Sequence, residues 1–366
     1  MTRQPVWFLA ALGLLLVTPP QALTAQDEVL EAAFSVAVDS AHHDVVLTIG
    51  PFVLPSMAPG GAGGHAHAGH DEAQMPQFNY KFAWPVGGTG RGFRMELRDA
   101  EGKKVSQRVL HHLQIINQDR RQLLLPMQEK MMAVGRETPN IMLPNTIGLP
   151  LAAGTRLRLN IMWHNETPRD IEAVWMTLRI RYSPENLVPR PTLVLPLSLD
   201  VADMKGRPNT FTIPPGDHQI TREFRLPVSV RLIGATGHLH DWGQELRLED
   251  AETGRVLTRV RTDLDSAGRI RAMPVKLYGI VGDGLRLRAN HRYRIVAQYH
   301  NPTGQPLPGA MGHFNGLVSV SDRDLARWPR LGAPDIAYLD EGAWRAEYRL
   351  EPPAPVAPAD PQPSAP

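Results

Sequence analysis

The sequence contains no cysteine among its 366 residues. No disulfide bond can form, so the domains must be held together by packing alone. Thiolate is also excluded as a metal ligand, which leaves methionine as the soft donor, and the chain has 13 methionines. No thiol nucleophile and no lipid anchor on cysteine is available either.

The chain also lacks an excess of charge of either sign. The formal net charge is only +2 and no long basic block occurs, so nucleic acid is not expected as a partner. Aromatic residues make up 6% of the chain and form no stripe, which disfavours a glycan-binding jelly roll, the third and weakest interpretation. We find no His-Glu-x-x-His helix and no glycine-rich phosphate loop.

Long hydrophobic runs are limited to one, near the amino terminus. Arg3, the apolar residues 6–17 and the small residues 22–25 predict a signal peptide over residues 1–25, with an uncleaved anchor as the alternative. No second apolar run follows, so we expect no integral membrane span in the mature protein. This pattern predicts a secreted or periplasmic protein.

Short segments of alternating apolar and polar residues dominate the rest of the chain. They are typical of half-buried strands and lie at residues 93–99, 155–161, 175–182, 245–249 and 293–299. Proline (34) and glycine (31) mark turns between them. Only residues 119–134 look weakly helical. The predicted fold is all-β, with two tandem antiparallel jelly-roll (β-sandwich) domains.

Composition and an internal repeat set the domain boundaries. A proline-rich linker separates a predicted amino-terminal domain, 27–188, from a carboxyl-terminal domain, 192–350. A His- and Gly-rich insert occupies residues 59–70, and the Pro/Ala-rich residues 352–366 predict a disordered tail. Residues 157–168 resemble residues 293–304, each with an aromatic-His-Asn sequence, which indicates a duplicated domain.

The carboxyl-terminal domain carries the better-marked metal site. His238 and His240 are two residues apart on a predicted strand, so both imidazoles project from one face and can reach one ion. Two imidazoles suit copper or zinc. Met311 is the third ligand that the repeat favours, and its thioether favours Cu(I). His313, two residues further, is a candidate for a supporting or substrate-side group.

The amino-terminal domain has a less regular pair. His111 and His112 are adjacent, and on a regular strand they would point to opposite faces. Both can bind one ion only at a bulge or at a strand end. His164 is the candidate third ligand of this site, with Met162 as its rival.

Taken in order, these motifs resemble the copper type II, ascorbate-dependent monooxygenases, the family of peptidylglycine α-hydroxylating monooxygenase and dopamine β-monooxygenase. The resemblance rests on residues 109–115, 212–216, 224–227, 237–243 and 310–312. It implies two copper ions per chain, one in each of two jelly rolls.

According to that resemblance, His238, His240 and Met311 hold the oxygen-activating copper, and His111, His112 and a third residue hold the electron-transfer copper. The implied activity is hydroxylation of a C–H bond of a small organic substrate with O2 and an external, ascorbate-like reductant. The alternative is a non-enzymatic, exported copper-binding or copper-handling protein on the same scaffold.

Two features of the sequence depart from the family pattern. Met162 aligns with the family's third ligand in the first domain, and His164 is then its neighbour. Thr236 stands where the peptide-hydroxylating members have an arginine that holds the substrate carboxylate, so a peptidylglycine substrate is not expected.

Overall fold

A computed structural model describes residues 32–58, 75–124, 127–202, 210–278, 284–319 and 321–327. The predicted signal peptide, the His-rich insert and the tail lie outside these residues. The predicted domain boundaries therefore stay a prediction. We refer to residues 33–184 as the amino-terminal half and to residues 192–319 as the carboxyl-terminal half.

The described residues are almost entirely β-structure, as the alternating sequence predicts. In the amino-terminal half the strands are β1 (Ala33–Asp39), β2 (Asp44–Leu54), β3 (Gln77–Ala83), β4 (Gly88–Arg98), β5 (Leu110–Arg121), β6 (Gln128–Gly135), β7 (Ile141–Met142), β8 (Ile147–Leu151), β9 (Arg156–Trp163) and β10 (Ile171–Pro184). A single 3₁₀ turn, Gln107–Val109, precedes β5. All five segments of predicted alternation are strands.

The carboxyl-terminal half continues the pattern and ends in one short helix. Its strands are β11 (Thr192–Asp200), β12 (Phe211–Ile213), β13 (Gly216–Arg225), β14 (Val230–Leu239), β15 (Gly243–Asp250), β16 (Val256–Arg261), β17 (Asp263–Leu264), β18 (Ile270–Ala272), β19 (Lys276–Leu277), β20 (Leu285–Leu287), β21 (Arg292–Asn301), β22 (Leu307–Ala310) and β23 (Gly312–Ser319). The helix α1 spans Asp322–Arg327. Within the described part of the chain, no helix is long and apolar enough to cross a membrane.

The weakly helical interpretation of residues 119–134 is wrong. Its first residues complete β5, and residues 128–134 belong to β6, which pairs antiparallel with β5. Cross-strand pairing with β5 outweighs the weak helical periodicity of this segment.

Each half is a sandwich of two sheets with matching topology. In the first half, the strands β2-β10-β4 face the sheet β3-β9-β5-β6. In the second half, the equivalent strands β11-β23-β14 face the sheet β13-β21-β15-β16. In the first half Phe52 of β2 packs against Phe78 of β3 and Trp163 of β9, with ring centroids 4.9 and 5.0 Å apart. In the second half, Leu246 and Phe314 belong to one buried apolar core. The fold is therefore two tandem antiparallel β-sandwiches of the jelly-roll type.

One large sheet continues from the first half into the second. The two halves join at a short parallel pair between β8 and β11, where Thr192 is opposite Ile147. A small apolar cluster of Leu143, Ile147, Val194 and Ile233 is buried at this junction. The proline-rich linker thus ends where β11 begins, and the junction places the two halves side by side in one compact unit.

Candidate metal centre

The two predicted histidine pairs lie together, although they come from different halves. The ring centroids of His111 and His240 are 5.9 Å apart, and those of His112 and His238 are 5.2 Å apart. Within each pair the rings are also close, at 4.0 Å for His111 and His112 and 5.1 Å for His238 and His240. The structure thus forms one cluster of imidazoles between the halves.

Two further histidines stand at the edges of this cluster. His164 is 6.0 Å from His111 and His313 is 6.1 Å from His238, measured between ring centroids. We call the six residues the histidine cluster: His111, His112, His164, His238, His240 and His313. His313 is opposite His238 on the neighbouring strand, which places it beside the site as the sequence indicated.

A β-bulge explains how adjacent histidines can share one site. On β5, Leu110 pairs with Trp163 and His112 pairs with Met162, so His111 is the extra residue. A bulge turns the side chain of the extra residue away from its regular direction. One of the two arrangements that a shared site would require, a bulge, is therefore present.

The His238 strand is shaped by close backbone packing. A side chain at Gly237 could not be accommodated, because its Cβ would lie 2.5 Å from the carbonyl oxygen of His313. Glycine at this position therefore lets β14 and β23 approach closely where their histidines lie side by side.

Hydrogen bonds fix the orientation of the imidazole rings of His238 and His240. The Nδ1 of His238 donates to Oε1 of Glu137 at 2.7 Å, and the Nδ1 of His240 donates to the carbonyl oxygen of Gly309 at 2.6 Å. Gly309 presents that carbonyl from a backbone with φ of 78°, which glycine adopts readily. In both rings the lone pair is therefore on Nε2, the nitrogen that can bind a metal.

Glu137 comes from the amino-terminal half, and sequence reasoning missed it. It follows β6 in a turn that is closed by a hydrogen bond from the Gly135 amide to Thr138 Oγ1. The Gln107 side chain donates to the carbonyl oxygens of Gly135 and Thr138, the first and last residues of that turn. Burial alone would raise the pKa of the Glu137 carboxyl, but the His238 ring and Arg136 hold the pKa below its usual range. An ionised carboxylate behind an imidazole is the usual support of a metal-binding histidine.

Arg136 and Tyr299 also support the site without having been predicted. Arg136 forms ion pairs with Glu166, at 2.6 Å, and with Asp241 of the other half, at 2.9 Å. The Tyr299 hydroxyl accepts from the His240 amide and donates to the Met311 carbonyl. Neither residue belongs to a recognisable motif, so only the fold reveals them.

The cluster fits a metal ion by two observations. The Nε2 of His238 is buried and has no hydrogen-bond partner among the described residues, which is costly unless another ligand binds it. Burial, together with the neighbouring imidazoles, holds the pKa of His112 well below its usual range. The ring is therefore neutral near pH 7, the form that binds metals.

The methionines divide between the site and the core. Met311 and Met162 line one cavity of about 510 Å³ together with His112, His238 and His313. Met176 lies in the first-half sheet between Ile49 and Leu97 and is fully buried there.

His240 lines a different and much smaller space. That space, of about 10 Å³, lies between His111, Glu137, His238 and His240. His238 therefore borders both spaces.

The wall of the larger cavity is polar and apolar in about equal measure, and it includes Arg158 and Lys130. Thr236 lines this cavity and also an adjoining apolar pocket of about 130 Å³. Thr236, which stands where the resembled family has an arginine, thus lies in the wall of both spaces and carries no charge.

No protein-family model matches the sequence, and comparison with proteins of curated function found no match. Among solved structures, the STIV MCP is similar over 68% of this chain and 94% of its own, with 10% identity and a TM-score of 0.36. PNGase F, a glycosylasparaginase from Flavobacterium meningosepticum, is similar over 74% of this chain and 95% of its own, with 10% identity and a TM-score of 0.33. The major capsid protein P2 from bacteriophage PM2 is similar over 75% and 98%, with 9% identity and a TM-score of 0.29. At these scores the likenesses carry no argument about the site.

Proposed function

We propose that the protein is a copper-dependent monooxygenase that hydroxylates a C–H bond of a small organic substrate with O2 and an external, ascorbate-like reductant. The observation that carries the proposal is the convergence of imidazoles from both halves beside a cavity of about 510 Å³. That volume is in the range of pockets that hold small molecules, roughly 300–1,000 Å³.

The donor types favour copper over other metals. Three imidazoles can also form a zinc site with an open position. The thioethers of Met162 and Met311 in the same cavity wall favour Cu(I), because soft donors select it. Mg²⁺ and Ca²⁺ are disfavoured because they prefer oxygen ligands.

Different residues of the chain would bind the metal, orient its ligands and orient the substrate. His111, His112, His238 and His240, with Met311, would hold the metal, and bound copper would supply one-electron chemistry toward O2. Glu137 and Gly309 accept the Nδ1 hydrogen bonds of His238 and His240, and so leave the lone pair of each ring on Nε2. The cavity wall would orient the substrate, and the cationic side chains of Arg158 and Lys130 favour a neutral or anionic substrate over a cationic one.

A second candidate function is non-enzymatic copper binding. The space between His111, His238 and His240, about 10 Å³, has room for an ion but for no organic molecule. A site used only for storage or transfer of copper needs nothing larger.

Substitution of Met311 by leucine distinguishes the two functions, because leucine keeps the volume and removes the sulfur. Purified protein reconstituted with copper would be tested for metal content and for reductant-dependent O2 consumption. An enzyme should lose turnover sharply and keep copper at the remaining histidines, whereas a copper carrier should show only weaker Cu(I) binding. The matched control is Met176→Leu in the core, which should change neither property.

Two results would count against catalysis. Wild-type protein that binds no copper after reconstitution excludes both functions. Protein that binds copper but consumes no O2 with any reductant leaves only the copper-binding function.

A further inference from the structure

The most compact group of donor atoms in the described residues draws on both halves. One nitrogen each from His111, His112 and His240 lies within 4.8 Å of the other two. His111 and His112 come from β5, and His240 follows β14 of the other half. The sequence assigned these residues to two different metal ions.

The spacing is close to that of three ligands on one ion. Metal–imidazole bonds are about 2.0–2.1 Å long, so two nitrogens on one ion are at most about 4.2 Å apart. A contraction of less than about 1 Å would bring all three nitrogens into that range. Side-chain rotation alone supplies movement of this size, because the bulge already places both β5 histidines at one end of the strand.

We propose that His111, His112 and His240 hold a single metal ion jointly, so that this ion belongs to both halves of the molecule. The inference rests on the metal-binding part of the proposed function and does not depend on hydroxylation. It replaces one self-contained site per half with a composite site at the junction.

Two polar contacts hold the halves in the register that this site needs. Glu137 of the first half bonds to His238 of the second at 2.7 Å, and Arg136 bonds to Asp241 at 2.9 Å. Asp241 directly follows His240 in the sequence, and His238 is itself a member of the histidine cluster. The junction is thus fixed at the same point at which the donor nitrogens converge.

A double-mutant cycle with Cu(II) tests the proposal. The variants His111→Ala, His240→Ala and their combination would be titrated with Cu(II) against a competing chelator, and bound copper would be counted after gel filtration. If one ion is shared, each single variant should lose the same ion, with affinity reduced by more than the roughly 10- to 100-fold that loss of a supporting partner costs. The double variant should then bind as many ions as either single variant, because the two losses are not additive.

Independent sites predict a different count. Each single variant would then lose its own ion, the double variant would lose two, and the proposal would be overturned. His300→Ala is the matched control, because His300 occupies the position equivalent to His164 in the repeat but is exposed and bonded to Asp217. His240→Asn and the melting temperature of each metal-free variant separate loss of a ligand from loss of fold.

The same samples separate this inference from the proposed function. Shared loss of one ion without O2 consumption by wild-type protein supports the composite site and contradicts the monooxygenase. Turnover by wild-type protein together with additive loss of two ions supports the monooxygenase and contradicts the composite site.

Discussion

Glu137 reaches across the junction between the halves to hold an imidazole of the other half. Its side chain is almost fully buried, with 3% exposed, and contact with the His238 ring and the nearby Arg136 lower the pKa of its carboxyl. A buried carboxylate in this position orients the ring and increases the basicity of Nε2. In the proposed metal centre, Glu137 would therefore act as a positioning residue.

Substitution of Glu137 by glutamine should weaken copper binding by about 10- to 100-fold, because supporting partners of metal-bound histidines have effects of that size. Chelator competition measures the affinity, and the melting temperature of the metal-free variant shows whether the fold persists. The control is Asp217→Asn, which alters a carboxylate–histidine pair of the same 2.7 Å length at the exposed His300. Equal copper affinity of Glu137→Gln and wild type would contradict the role.

At the scale of single elements, the repeat is most visible in two identical turns. Asn165 donates to the carbonyls of Leu54 and Arg169, and Asn301 donates to those of Ile213 and Gln305. Each asparagine accepts from the amide and hydroxyl of the threonine two residues on. The two halves therefore tie the end of β9 and of β21 to the neighbouring sheet in the same way.

The two turns should contribute equally to the stability of the fold, but only the turn at Asn165 should affect the affinity for copper. Asn165→Ala and Asn301→Ala should each reduce the free energy of unfolding by about 2–4 kcal/mol, because several buried hydrogen bonds are lost at once. Only Asn165→Ala should also weaken copper binding, since His164 lies beside His111 whereas His300 is exposed. Urea unfolding and copper titration of both variants check this, and equal effects on copper would contradict it.

Strands β15 and β16 carry a carboxylate surrounded by arginines. Glu245 accepts from Arg261 at 2.9 Å and from Arg247 and Arg259 at 3.2 Å. Burial acts to raise the pKa of Glu245, but the arginines outweigh it and lower the pKa. A carboxyl whose pKa is lower in the folded state contributes stability above its unfolded pKa, about 4.3, and that stability is lost as the pH falls through the folded pKa.

Glu245→Gln should therefore reduce stability near pH 7 and flatten its decline at acid pH. Urea unfolding at intervals between about pH 7 and 3 measures both effects. Glu101→Gln, in an exposed turn, is the control and should leave the curve unchanged. A variant whose stability falls with pH as steeply as that of wild type would show that Glu245 is not responsible.

At the scale of the whole molecule, alternation and turn residues were sufficient to predict the all-β class and the strands at the five alternating segments, but not β5 and β6, whose residues 119–134 looked weakly helical. They could not predict that the two histidine pairs meet, because the meeting depends on how the two halves join at the β8–β11 pair. Nothing in the sequences of these two strands indicates that they pair with each other. The sequence likewise gives no signal for Glu137, which lies 101 residues from its partner His238. Local periodicity identifies elements, whereas contacts between distant elements depend on the fold.

If the protein is the proposed monooxygenase, the apolar pocket beside the larger cavity would hold an apolar arm of its substrate. Its volume, about 130 Å³, is close to the roughly 150 Å³ of a dry apolar cavity that binds benzene. Thr236, Ser198 and Asn315 line both spaces, so a molecule in the pocket could extend a polar end toward His238. We therefore expect the pocket to select the apolar part of the substrate.

Benzene tests the pocket without knowledge of the substrate. It should raise the melting temperature of wild-type protein, since a ligand that binds only the folded state stabilises it. Ala235→Leu places extra methyl groups in the pocket and should abolish this rise, while copper binding stays unchanged because Ala235 lines neither space that His238 borders. The exposed Ala267→Leu is the control for the added leucine. If benzene stabilised Ala235→Leu as much as wild type, the apolar arm would have to bind elsewhere, and the larger cavity alone would define the substrate.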